Sequence, residues 1–118
     1  MDLKENKMKK FKMIDVEEQR EMVWEIVRDY FNDNSMHVGL HKLFEDSVEH
    51  VIDTGASILC TKWGIGYEGG SFVQAVVAND LMRAVGSADY INANALKFYT
   101  QLMYNVGKPI WNESTTTV

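Results

Sequence analysis

The strongest start signal in this sequence is Gly69-Gly70-Ser71, followed three residues on by Gln74, and the residues behind it allow one choice of secondary structure. A serine at an N-cap accepts from the backbone N–H of the third helical residue, and a glutamine there reaches back to the cap. Phe72, Val76, Val77, Leu81 and Val85 recur at helical spacing. One helix from Ser71 to Val85 is therefore expected, with Arg83 complementing its dipole and Gly86 as a left-handed cap that a Cβ would hinder. Ser87 or Asp89 then caps a last helix carrying Ile91, Ala95, Phe98, Tyr99, Leu102 and Met103, ended by Gly107 and Pro109. This helical pair, from Tyr67 to Val106, is the frame for the rest.

Upstream, Asp15 with Glu18 three residues later reads as a second capping box, and Glu17, Glu18 and Glu21 place negative charge where a helix N-terminus favours it. Val16, Val23, Ile26, Val27 and Tyr30 form its apolar stripe, with Trp24 and Phe31 beside it, as far as the Asn32-Asp33-Asn34-Ser35 turn cluster. Another helix is expected from Val38 or Leu40 to Asp53, on Leu40, Leu43, Phe44, Val48, Val51 and Ile52, with Thr54-Gly55 as its stop. The run Ser57 to Trp63 is too short for periodicity to decide; a buried helical turn and a single extended strand both fit. The fold class is all-α: a small bundle of about four helices, with room for one short extended segment near 58–62. Residues 1–13 read as a Lys-rich N-terminal segment, 14–112 as a single helical domain and 113–118 as a loose polar tail.

Charge narrows the partners. Residues 1–12 hold five lysines against Asp2 and Glu5, net +3, which leaves −8 for the remainder of a chain whose total is −5. An acidic body disfavours duplex DNA, whose phosphates demand a basic face. Lone Cys60 lies in an apolar run, so no disulfide framework exists and a reducing compartment is expected. No apolar window is long enough to span a bilayer, and no signal-type apolar core follows the early lysines, so neither a membrane nor an exported protein is expected.

Few residues point to chemistry. Gly64-x-Gly66-x-x-Gly69 stands before a helix, as in a dinucleotide fingerprint, but the chain continues into another helix where a crossover needs a second strand. The weaker form of that idea keeps more: Gly69, Gly70 and Ser71 offer backbone N–H groups at a helix start, a place that accepts phosphate. His37 and His41 have a pair spacing compatible with metal, yet no further ligand is set, so no metal and no cofactor are expected. His50 reads as a surface partner of Glu49. Cys60 lacks a neighbouring base and reads as core. Asn79-Asp80 and Asn92-Ala93-Asn94 put amides and a carboxylate where helix propensity disfavours them, so binding or helix-to-helix bonding is expected of them. Trp24, Trp63, Trp111, Tyr67, Tyr90, Tyr99 and Tyr104 exceed what a small core needs, and some should reach a subunit interface or a ligand.

Gly69-Gly70-Ser71-Phe72 leading into Ala75-Val76-Val77-Ala78-Asn79-Asp80-Leu81, then Gly86-Ser87-Ala88-Asp89 and Tyr104-Asn105, resembles a group of small proteins encoded by bacteriophages and prophages. The resemblance covers about a third of the chain. It implies a viral accessory protein with two packed helices and no particular chemistry. Phage proteins of this size commonly act by occupying something in the host, an analogy that does not depend on fold. The first expectation is thus a non-enzymatic protein in the cytoplasm of an infected bacterial cell that counters host defence by sequestering a small phosphorylated, nucleotide-like signal. Gly69, Gly70 and Ser71 would meet the phosphate, Tyr67 or Trp63 would stack a base, Lys62 or Lys97 would supply charge, and Asn79 and Asp80 would add polar contacts, in a pocket built by a homo-oligomer. The alternative is an inhibitor of a host defence or nucleic-acid-binding protein, using acidic helix faces that include Glu17, Glu21, Glu25 and Asp29. A metal-dependent enzyme on His37 and His41 is the remote third reading.

Overall fold

The computed structural model describes residues 13–35, 39–40, 43, 45–66 and 68–108. Among them the chain forms six helices and no strand: α1 Val16–Asn34, α2 Glu45–Trp63, α3 Ser71–Val77, α4 Leu81–Ser87, α5 Tyr90–Asn94 and α6 Leu96–Val106. The class is all-α, as the periodicity predicts. None of these helices is long and apolar enough to cross a membrane.

α2 is the centre of the bundle. It packs against α1, α3, α5 and α6, while α3 also carries α4 and α5 meets α6. Its buried residues, Val51, Ile52, Gly55, Ala56, Ile58, Leu59, Cys60 and Trp63, lie on more than one side, because several helices surround it. That arrangement corrects one expectation and decides between the two readings of 57–63. Thr54-Gly55 does not stop the helix, and 58–62 is not extended; α2 runs unbroken for 19 residues through both. An apolar run contacted from several sides shows no single stripe, so the periodic signal fades where burial is deepest. The expected start at Val38 or Leu40 is also later, at Glu45. Leu40 is buried without being helical, and Val38 and Phe44 lie outside the described residues.

α1 follows its prediction closely, from an N-cap at Asp15 to Asn34, with Val23, Val27 and Phe31 buried. The Asp15 side chain makes no cap bond, so the second capping box is not formed. Gln19 is buried instead, its Nε2 donating to the Ile14 carbonyl at 3.0 Å, which ties the chain ahead of α1 to the helix. Tyr30 joins α1 to α6: its hydroxyl accepts from Asn105 Nδ2 at 2.8 Å and donates to the Gln101 carbonyl at 3.4 Å.

The expected helix from Ser71 to Val85 is two helices. Asn79 takes φ +59, and the chain closes around it through Asp80 N–H to the Ala75 carbonyl at 2.9 Å. Asp80 then caps α4, accepting from the Arg83 N–H at 3.1 Å. The left-handed residue is therefore Asn79, which tolerates that region better than most side chains. Gly86 lies inside α4 without positive φ. Asn79→Gly should leave stability unchanged within about 0.5 kcal/mol, whereas Asn79→Val should lose about 1–2 kcal/mol, read by urea unfolding. The last expected helix is likewise divided at Ala95, which is 1 % exposed and is both the end of α5 and the N-cap of α6.

Candidate functional site

The start of α3 is held against α2. Gly70, not Ser71, is the N-cap, and no side chain caps α3, so the box predicted on Ser71 is absent. Gln74 does reach back, but as a donor: its Nε2 meets the Gly69 carbonyl at 2.7 Å. The Gly69 N–H donates to Thr61 Oγ1 on α2 at 2.9 Å. A Cβ on Gly69 would press on Val73 and approach Ser57 Oγ to 2.8 Å, so this glycine allows the entry strap to lie flat on α2. One of the three backbone donors assigned to a phosphate is consequently committed to the fold.

Beside Gly70 and Ser71 opens a groove of about 810 Å³ counting its mouth, lined from α2 by His50, Asp53, Thr54 and Ser57, and beyond it by Ser87 and Asn92. His50 Nε2 lies 3.0 Å from Asp89 Oδ2, not on Glu49 as its sequence neighbour suggested. The other Asp89 oxygen accepts the Asn92 N–H at 2.7 Å and caps α5. His50 and Asp89 are 39 positions apart, and only the packing of α5 on α2 brings them together. Asp53 is also occupied, accepting from Trp24 Nε1 at 2.7 Å. At the groove floor Asn92 is buried and accepts from the Tyr99 hydroxyl at 2.6 Å. Burial pushes that hydroxyl far above its ordinary pKa, with Thr54 pulling down and the Asp89 charge adding a smaller push up, so Tyr99 stays neutral and structural.

The remaining candidates do not converge on this groove. Trp63 is 7 % exposed, and its Nε1 donates to the Gly107 carbonyl at 2.9 Å, which keeps the indole in the core and away from a stacking role. Lys62 is exposed at the last turn of α2 and Lys97 is exposed on α6. Asn79 and Asp80, whose local roles are the turn and the α4 cap, border a separate hollow with Ala75, Val76, Leu81, Ala84, Leu96 and Thr100. Tyr67, His37, His41, Trp111, the lysines at 4–12 and residues 113–118 lie outside the described residues. Among the described residues no group of His, Cys, Asp and Glu is arranged to hold a metal. Cys60 is 2 % exposed, and burial raises its pKa against a weaker pull from Arg20, a poor setting for a thiolate.

A second candidate surface runs along α1. Glu17, Glu21, Glu25 and Asp29 are all exposed and four residues apart, hence on one face. Asp29 meets Arg28 at 3.4 Å, and the other three form no ion pair with a described residue. The last turn of α1 holds no basic residue. Like charges at this spacing each cost a few tenths of a kcal/mol. Glu17, in the first turn, favours the helix dipole, whereas the rest of the row adds repulsion that no described ion pair offsets at Glu21 or Glu25. Next to it, Glu17, Arg20, Glu21, Trp24 and Asp53 line a shallow hollow between α1 and α2, with the Arg28 guanidinium 5.6 Å above the Trp24 ring.

Comparison with protein-family models, with curated proteins and with solved structures finds no match for this chain. The assignment of function therefore rests on these two surfaces and on their charge.

Proposed function

We propose that this protein is a non-enzymatic accessory protein of the phage type that acts by covering a basic surface of a host protein with the outer face of α1. The observation that carries the reading is the exposed row Glu17, Glu21, Glu25 and Asp29, three of whose members are unpaired among the described residues. An acidic row with one ion pair, Arg28–Asp29, on a body with net negative charge, steers toward cationic surfaces and disfavours phosphates. The test is to replace all four by Gln or Asn and to compare, with the unaltered protein, both host phenotype and capture of a host protein at low and high salt. The variant should melt close to the unaltered protein, because relief of like-charge repulsion offsets the loss of Glu17 at the helix N-terminus and of the exposed Arg28–Asp29 pair, while capture and phenotype are lost. Capture by the unaltered protein should itself fall as salt shortens the Debye length from about 10 Å at 0.1 M to about 3 Å at 1 M. Retention of the host phenotype by the neutralised variant sinks this reading.

The α2–α3 groove supports sequestration of a small phosphorylated molecule as the second reading. Its favourable observation is the convergence of Thr54, Ser57, Ser71 and Ser87 with His50 around the exposed Gly70 backbone. It ranks second because Asp53 lines the same groove and Asp89 holds the histidine, so an anion would meet carboxylates there. Ser71→Asp adds a further negative charge at the point of phosphate contact; unchanged activity of that variant in the host removes this reading.

A further inference from the structure

His50, Asp53, Thr54 and Ser57 stand at the spacing of one helix face, and all of them line the groove that opens beside α3. Asn92 lines it from α5 and is only 7 % exposed. Its Oδ1 meets the Tyr99 hydroxyl at 2.6 Å, a length usual between two oxygens and short for an N–H donor. The oxygen branch of the carboxamide is thus turned to the core, where Tyr99 is fully buried, and the nitrogen branch is turned away from it. Nδ2 donates to no described residue. No sealed side-chain polar atom among the described residues lacks a partner, so this nitrogen is not sealed; it opens on the groove. A carboxamide locked by a buried partner, with its N–H groups aimed into a recess, is a preorganised donor.

The groups around it select the class of ligand. Asp53 accepts from Trp24 through Oδ1, and its Oδ2 bonds no described residue, so one carboxylate oxygen is available. Ser57, Ser71 and Ser87 add hydroxyls, each able to donate and to accept, and Phe72 and Val73 add an apolar wall. No lysine or arginine is among the described lining residues, and Asp89 stands behind His50 at 3.0 Å. A phosphate only accepts, so it leaves Asp53 unmet and is repelled by both carboxylates. An ammonium group only donates, so it leaves Asn92 unmet. A hydroxyl does both, and a molecule carrying several on adjacent carbons satisfies amide, carboxylate and serines together. We propose that this groove binds a neutral polyhydroxylated ligand, a sugar either free or as the ribose of a nucleoside, with Asn92 Nδ2 donating to one of its oxygens and Asp53 Oδ2 accepting from one of its hydroxyls. The proposal departs from the phosphate reading of the same groove and does not depend on the α1 face.

The test is nuclear magnetic resonance titration of the isotope-labelled full chain with glucose, ribose, uridine, inorganic phosphate and putrescine in turn. Saturable shifts that include the Asn92 side-chain amide are expected with glucose, ribose or uridine, and none with phosphate. Ribose against uridine tells whether the sugar alone suffices. Asp53→Asn keeps the Trp24 bond through its amide oxygen and turns the free acceptor into a donor; it should weaken binding by about tenfold or more. Asn92→Asp keeps the Tyr99 bond, removes the donor and should do the same. Should that buried variant fail to fold, Asp53→Asn, at an exposed position, carries the test alone. The proposal is overturned if none of the three sugar-bearing probes saturates, or if Asp53→Asn leaves their binding unchanged, since the contact then lies elsewhere. Saturation by phosphate overturns it in favour of sequestration of a phosphorylated molecule, and saturation by putrescine alone overturns it in favour of a cation site.

Discussion

Replacing Phe98 by alanine is expected to remove about 3–5 kcal/mol of folding stability, a large part of the roughly 5–15 kcal/mol available to a single domain. Phe98 is fully buried on α6. Its ring centroid lies 5.8 Å from Tyr30, 5.4 Å from Phe31 and 5.9 Å from Tyr99, and Tyr99 in turn lies 5.7 Å from Phe72. The cluster spans α1, α3 and α6, so its aromatic contacts, three edge-on and the one to Tyr30 tilted, add to the apolar area they bury. A void at this point has rigid rings on several sides and little freedom to collapse, which places the cost in the upper part of the usual range. Urea unfolding followed by circular dichroism reads the loss directly. Tyr104→Ala on the same helix is the control: Tyr104 is 91 % exposed, and its removal should stay within about 0.5 kcal/mol. Equal effects at the two positions would mean that α6 does not dock as described.

Filling Gly55 should be the second severe change, and its sign opposes helix propensity. Glycine inside a helix costs about 1 kcal/mol relative to alanine, so an isolated α2 would gain from Gly55→Ala. In the bundle, a Cβ at Gly55 would lie 2.8 Å from Val27 Cγ1 and 3.1 Å from Leu102 Cδ2. Val27 is β-branched and fully buried, so its methyl has no free rotamer into which to retreat. Overpacking of this kind costs about 1–3 kcal/mol, and the net effect of Gly55→Ala is a loss of about 1 kcal/mol. Gly55→Leu brings three further carbons into the same contact and should lose more than about 3 kcal/mol, which leaves little folded protein on heating. A rise in melting temperature for Gly55→Ala would show that α1 and α6 stand further from α2 than this. The companion variant Gly55→Ala with Val27→Ala, which opens space opposite the new methyl, should recover part of the loss relative to the sum of the two single changes.

How far the chain reveals its fold varies with the range of the signal. α1 is legible because everything that defines it is local: charge in the first turn, an apolar stripe with a helical period, and a cluster of turn-forming residues at its end. Burial of Cys60 and capping by Asp89 are legible for the same reason. Gly55 and Gly86 mislead because glycine has two uses, reversal of the chain and close approach, and a sequence does not distinguish them. In α2 the glycine serves approach; in α4 it serves no left-handed turn at all. The site was less legible still. His50 had a plausible partner next to it in Glu49 and an actual one in Asp89, 39 positions on. The signal available for it was Asp89 as a cap residue, which fixes one carboxylate oxygen and leaves the other free to be met.

By itself, then, the sequence determined the helical class, the position of α1, most of the buried apolar positions, and the acidic row on α1, since each follows from spacing along a single helix. The tertiary structure decided that α2 continues through Gly55 to Trp63, that the chain breaks at Asn79 and Ala95, that Trp63 is core, and that α4 keeps an uncovered apolar face. Those outcomes depend on which helix lies opposite, and contacts between distant parts of the chain outweigh local preferences of about 1 kcal/mol per residue.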